Sequence, residues 1–231
     1  MTGEFSLSAR RVAARYGRRE VLHDVSFDLR SGQAVGVVGE NGAGKTTLLR
    51  ALVGLIRPTH GEIRIAGLPP EDAIRRIPTA YFAGEATLPG RVRASVWNDM
   101  SGRAVSSDRR PLRTLSRGAR QLVGLQTSLA PPSLGLIVLD EPWEGLGPDG
   151  SRWLSSLLTS KRDRGSAVVV SSHRLHDLAG VCDAYLFVVN HRATYVRAFE
   201  LSPAGPVTAT ALTETFDRLR GGEVWKRLAS D

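Results

Sequence analysis

The chain has 231 residues, 42% of them hydrophobic, which is enough to bury one large core with a smaller lobe folded into it. Its formal charge of +8 comes almost wholly from arginine, since its lysines are Lys45, Lys161 and Lys226. No apolar run approaches the roughly 20 residues of a bilayer span, a lone Cys182 excludes an internal disulfide, and the opening residues lack a secretory h-region, so a reducing, cytoplasmic setting is expected.

In chain order the pattern alternates strand and helix. Residues 5–13 and 25–29 have the alternation of half-buried strands, and "AVGVV" at 34–38 is a short buried run ending at Gly39. Residues 46–53 then read as a helix up to Gly54, so the order is strand, glycine turn, helix. "EIRIAG" at 62–67 predicts a strand closing at Gly67, and residues from about 92 to 130 read as mostly helical with arginine-rich breaks. "LIVL" at 136–139 predicts a buried strand, 151–161 a helix, "AVVVSS" at 167–172 a further strand and 174–181 a short helix. Strands near 185–189 and 195–200 and helical pieces over 212–229 complete the chain. Parallel strands separated by helices predict an α/β fold on a doubly wound sheet.

The arginines are unevenly spread. Between Arg91 and Arg120 lie eight of them against Asp99 and Asp108. The segment is either a solvated basic face or a surface for an acidic partner, nucleic acid or anionic lipid headgroups. Aromatic residues do not alternate with these arginines as a base-stacking surface requires, so no direct nucleic-acid partner is expected.

The strongest motif is "GENGAGKTT" at 39–47, a G-x-x-x-x-G-K-[ST] pattern between a predicted strand and a predicted helix. Gly39, Asn41, Gly42, Ala43, Gly44, Lys45, Thr46 and Thr47 form the expected phosphate cradle: inward amides from Gly42 to Thr47, the Lys45 ammonium on the β- and γ-phosphates of a nucleotide, and the Thr46 hydroxyl on Mg²⁺. The strand "LGLIVL" ends in Asp140 and Glu141, which a parallel sheet would set beside that cradle; Asp140 is expected in the Mg²⁺ shell and Glu141 as the base that polarises an attacking water. His173, at the end of the next strand, is expected to contact the γ-phosphate. His176 follows three residues on, but no cysteine or carboxylate set completes a zinc site.

"GENGAGKTT", "LSRGARQ", "LIVLDEP" and "SSHRL" occur in the order and approximate spacing of the phosphate loop, signature loop, Walker B strand and switch histidine of ABC-type ATP-binding subunits, and the chain resembles that family over about residues 5–200. The resemblance implies a P-loop NTPase core with an N-terminal antiparallel β lobe, and a single domain over 1–231 with a shortened helical lobe at about 85–130 and a helical tail at about 201–231. It implies that Tyr16 stacks on adenine, and that a second ATP-binding subunit, identical or homologous, offers Ser116 and Gly118 to the nucleotide held by the first. It further implies a polytopic membrane subunit as partner and a peripheral place on the cytoplasmic face of the membrane.

Against the family's Leu-Ser-Gly-Gly-Gln signature, Arg117 replaces the first glycine and Ala119 the glutamine. Gly147 stands where an aspartate is usual, with Asp149 two residues later, and Gly84, followed by Glu85, falls at the position of a coupling glutamine. Two functions follow. One is the ATPase subunit of a transporter, most like exporters whose ATPase and membrane protein are separate chains; the other is a slowly hydrolysing regulatory or scaffold protein of the same superfamily.

Overall fold

Among the described residues, nine strands and eight α-helices follow one another as β1 (Ser6–Tyr16), β2 (Arg19–Arg30), β3 (Ala34–Gly39), α1 (Lys45–Leu52), β4 (His60–Ile65), α2 (Pro70–Ala73), β5 (Thr79–Phe82), α3 (Ala94–Met100), α4 (Arg117–Leu129), β6 (Leu136–Leu139), α5 (Pro148–Asp163), β7 (Ala167–Ser172), α6 (Leu175–Leu178), β8 (Ala184–Val189), β9 (Arg192–Arg197), α7 (Ala198–Leu201) and α8 (Ala209–Arg220). This computed structural model describes residues 6–16, 19–100 and 109–221, without the side chains of Tyr16, Arg19, Asn98 and Met100. Part of the basic segment, with Arg103 and Asp108, and the tail beyond residue 221 lie outside the described residues.

The strands form one sheet in the order β4-β1-β2-β9-β8-β3-β7-β6-β5. β3, β6, β7 and β8 run parallel within it and β5 continues them parallel at the edge, while β1, β2 and β4 make an antiparallel lobe. The ladder between the two parts is the single pair His23 opposite Arg192, where the His23 N–H donates to the His191 carbonyl at 2.6 Å. β3, β6, β7 and β8 are buried on both faces, and their side chains alternate between two cores. Val35, Val37, Leu136, Val138 and Val169 join Leu48 and Leu49 of α1 on one face. Val38, Ile137, Leu139, Val168 and Val170 join Leu125 of α4, Leu154 of α5 and Leu212 of α8 on the other. That period-2 division is why these segments read as unbroken apolar runs. Ala94, Leu112, Leu115 and Val123 form a small separate core under the helical lobe.

Several expected boundaries change. The strand expected at 195–200 is β9 at Arg192–Arg197, because it pairs antiparallel with β8 through a tight turn at Asn190 and His191, both in the left-handed region at φ 49° and 66°. Residues 198–201 wind into α7 instead. The helix expected at 174–181 stops after one turn at Leu178. β5 and α2 had no sequence signal of their own: β5 is a four-residue edge strand aligned on β6, with Phe82 opposite Leu139.

Candidate active site

All six residues of β3 are buried, so the strand delivers Gly39 to a fixed point, and the turn that follows has the geometry of an anion cradle. Gly42 and Gly44 lie at φ 82° and 110°. A Cβ on Gly44 would stand 2.2 Å from the Val21 carbonyl, so β2 presses on the loop and only glycine satisfies both the dihedral and the contact. α1 begins at Lys45 with no side-chain cap and no acidic residue in its first turn, which leaves its amides and the positive end of its dipole for an anion.

The parallel register brings the ends of β3, β6 and β7 side by side. The Thr46 hydroxyl donates to Asp140 Oδ2 at 2.6 Å, and the Ser171 hydroxyl donates to Asp140 Oδ1 at 2.6 Å. Lys45, 6% exposed, donates to the Gly39 carbonyl at 2.7 Å and pairs with Glu141 Oε1 at 3.0 Å. That contact is charge pairing rather than a directed hydrogen bond, since Oε1 accepts none. Glu141 Oε2 accepts from the His173 N–H at 3.1 Å and lies 2.9 Å from His173 Nδ1. Lys45, Glu141 and His173, expected to share the chemistry, are therefore in mutual contact through one carboxylate. Next along the chain, Arg174 clamps Asp177 through two bonds of 2.7 and 2.9 Å, and this hydrogen bonding raises the Arg174 pKa.

Two participants escaped the sequence reading. Ser171 ties Asp140 and also accepts the Glu141 N–H at 2.9 Å; its signal was a hydroxyl at the end of an otherwise apolar buried strand. Gln121 is 2% exposed, and its amide reaches Pro142 O at 2.9 Å and accepts the Glu85 N–H at 3.0 Å. Its signal was an amide on the same helical stripe as Leu125 and Leu129.

Ser116 caps α4, accepting the Ala119 N–H at 3.2 Å, and a Cβ on Gly118 would stand 2.3 Å from the Gly145 carbonyl of the same chain. Arg117 turns onto its own chain, 3.5 Å from Glu85 Oε1 and 2.7 Å from Glu144 Oε1, and Arg120 meets Glu85 Oε2 at 2.8 Å. Asp149 pairs with Arg152 on its own helix, and Gly147 serves as the N-cap of α5.

A family model described as ABC transporter matches residues 22–144, just over half of the chain. The chain belongs to the ABC transporter family, as an ATP-binding member. It is 30% identical over 209 residues to the SkfA peptide export ATP-binding protein SkfE of Bacillus subtilis, covering 80% of this chain and 87% of that one. It is 32% identical over 191 residues to the zinc import ATP-binding protein ZnuC of Pseudomonas putida, covering 78% and 73% respectively. Among solved structures, an ATP-binding subunit of an ABC transporter shares the fold with a TM-score of 0.74 at 23% identity, over 85% of this chain and 92% of that one.

ATP-binding members of the ABC transporter family are ATPases, and the donor set at the Thr46–Asp140 pair fits the Mg²⁺ such chemistry uses. A hydroxyl and a carboxylate oxygen stand 2.6 Å apart at a helix start, and the described residues hold no group of three or more His, Cys, Asp or Glu that would form an all-protein metal cage. A hard cation that completes its shell with phosphate oxygens and water suits that sparse set. The Tyr16 backbone ends β1 opposite Arg19, and its side chain lies outside the described residues. No described helix is long and apolar enough to cross a membrane.

Proposed function

We propose that this ABC transporter subunit binds and hydrolyses ATP between two copies, or between itself and a homologous subunit, to drive export through a separate membrane subunit at the cytoplasmic face. The observation that carries the catalytic reading is the convergence of Lys45, Glu141 and His173 within 3.0 Å contacts beside the Thr46–Asp140 pair. In this reading the Gly39–Thr47 loop, including Asn41, Gly42, Ala43 and Gly44, wraps the phosphates, while Lys45 neutralises them and leaves Glu141 in competition with phosphate for its ammonium. Glu141 then takes a proton from the attacking water, and His173 donates to the γ-phosphate. Thr46 and Asp140 would hold Mg²⁺, which supplies charge neutralisation at the phosphates. Tyr16 stacks on the adenine, and Ser116 and Gly118 face the partner copy's nucleotide.

Export is supported by the likeness to SkfE, a peptide export ATP-binding protein that this chain matches over 87% of its length. Identity does not make that choice, since the zinc import subunit is matched at 32%. Glu141→Gln tests the catalytic reading. The variant should bind MgATP, lose on the order of 10²-fold or more in turnover, and elute as an ATP-dependent dimer on size exclusion. Turnover at the wild-type rate would remove Glu141 from the role of base.

A further inference from the structure

Glu141 sits at φ 47°, in the left-handed region where a side chain with a Cβ rarely rests, and it is this turn that aims its carboxylate back at Lys45 and His173. Such a conformation persists when the surroundings over-determine it. One hold comes from inside the sheet, where Ser171 Oγ accepts the Glu141 N–H at 2.9 Å. The other comes from outside the sheet. Gln121, on the first turns of α4, offers its amide to Pro142 O at 2.9 Å and approaches Glu141 O at 3.4 Å. The opposite end of the same amide accepts the Glu85 N–H at 3.0 Å, and Glu85 is itself pinned by Arg120 at 2.8 Å. One planar side chain thus joins the loop that starts at Gly84, the start of α4 and the strained turn of the carboxylate.

We infer that Gln121 is a positioning residue for ATP hydrolysis, holding the backbone of Glu141 and Pro142 and passing to it the position of the Gly84–Thr87 loop. The inference rests on Glu141 being the base. An amide suits the task because it donates and accepts at once, and at 2% exposure no water replaces it: without it the Glu85 N–H and the Pro142 carbonyl lose their shared partner. The loop carrying Glu85 belongs to the same lobe as the arginine-rich segment, so displacement of that lobe would act on the carboxylate without touching the phosphate loop.

The test uses the full chain with MgATP. Gln121→Leu removes every bond, and Gln121→Glu, of equal size, keeps the acceptor for Glu85 and loses the donor to Pro142. Both should lower kcat tenfold or more while KM and nucleotide affinity stay within about twofold. Amide exchange at Glu144 and Leu146, which donate to Glu141 O and Trp143 O, should quicken in both variants. In a Glu141→Gln background Gln121→Leu should cost nothing further, because the group it positions is already gone. Unchanged kcat in the Gln121 variants, with Glu141→Gln inactive, overturns the inference and leaves the base in place; full activity of Glu141→Gln overturns the base itself. Failure of both Gln121 variants to fold would assign the residue to the fold and overturn the inference as well.

Discussion

The phosphate loop and the signature segment are both glycine-containing turns at the start of a helix, yet they are held by different forces. The first is backbone against backbone: Gly44 lies at φ 110° with the Val21 carbonyl where its Cβ would be, and α1 starts uncapped. The second is held mainly by side chains, with Ser116 accepting the Ala119 N–H to cap α4 and with Arg117 and Arg120 paired with Glu85 and Glu144; Gly118, packed on the Gly145 carbonyl, is the exception. A backbone-defined turn tolerates almost no substitution, because a Cβ collides with something that cannot move. Where an exposed ion pair does the holding, as between Arg117 and Glu144, substitution is tolerated, since such a pair contributes no more than about 1 kcal/mol.

That contrast predicts a graded series. The largest effect belongs to Gly44→Ala, which combines a forbidden dihedral with a 2.2 Å backbone collision; reshaping the loop should weaken MgATP binding by roughly 2–3 kcal/mol, about 30- to 150-fold, read by equilibrium titration. Gly118→Ala comes next. Its dihedral is ordinary, but the new Cβ meets the Gly145 carbonyl at 2.3 Å, so urea unfolding should show a loss of about 1–3 kcal/mol as α4 and the Gly145 turn part. If the two substitutions proved equally harmful to ATP binding, the division between the regions would fail. The smallest effect on stability is expected from Arg117→Gly, whose side chain is 58% exposed: less than about 1 kcal/mol by the same denaturation. Its turnover in the purified complex should rise, since glycine clears the space that a large cation fills where the partner's nucleotide would approach. A large fall would make Arg117 a contributor to turnover.

The basic face gives a further contrast with the phosphate loop. Backbone bonds from Leu112 to Val92 and from Arg113 to Gly90 set two arginine-bearing stretches together, with Arg91, Arg93, Arg109 and Arg113 exposed. Reversing Arg109, Arg110 and Arg113 to Glu should reduce co-purification with the membrane subunit and leave nucleotide affinity unchanged. A solvated face would show no change in either.

What the sequence by itself determined was whatever depends on neighbours in the chain. The strand-turn-helix of 34–52 was legible because a buried apolar run, glycines at fixed offsets and a helical pattern are local signals, and the Asp140–Glu141 pair was legible because it ends such a run. Only the tertiary structure decided what depends on partners far along the chain. Phe82 finds its register on Leu139, so the edge strand β5 exists because β6 is there to pair with it. Gln121 meets Pro142 and Glu85 across 21 and 36 residues, and no periodicity announces a single amide bridging two loops. The left-handed Glu141 is the same kind of fact, a local strain with no local cause, sustained by Ser171 and Gln121 because the sheet and α4 bring them there.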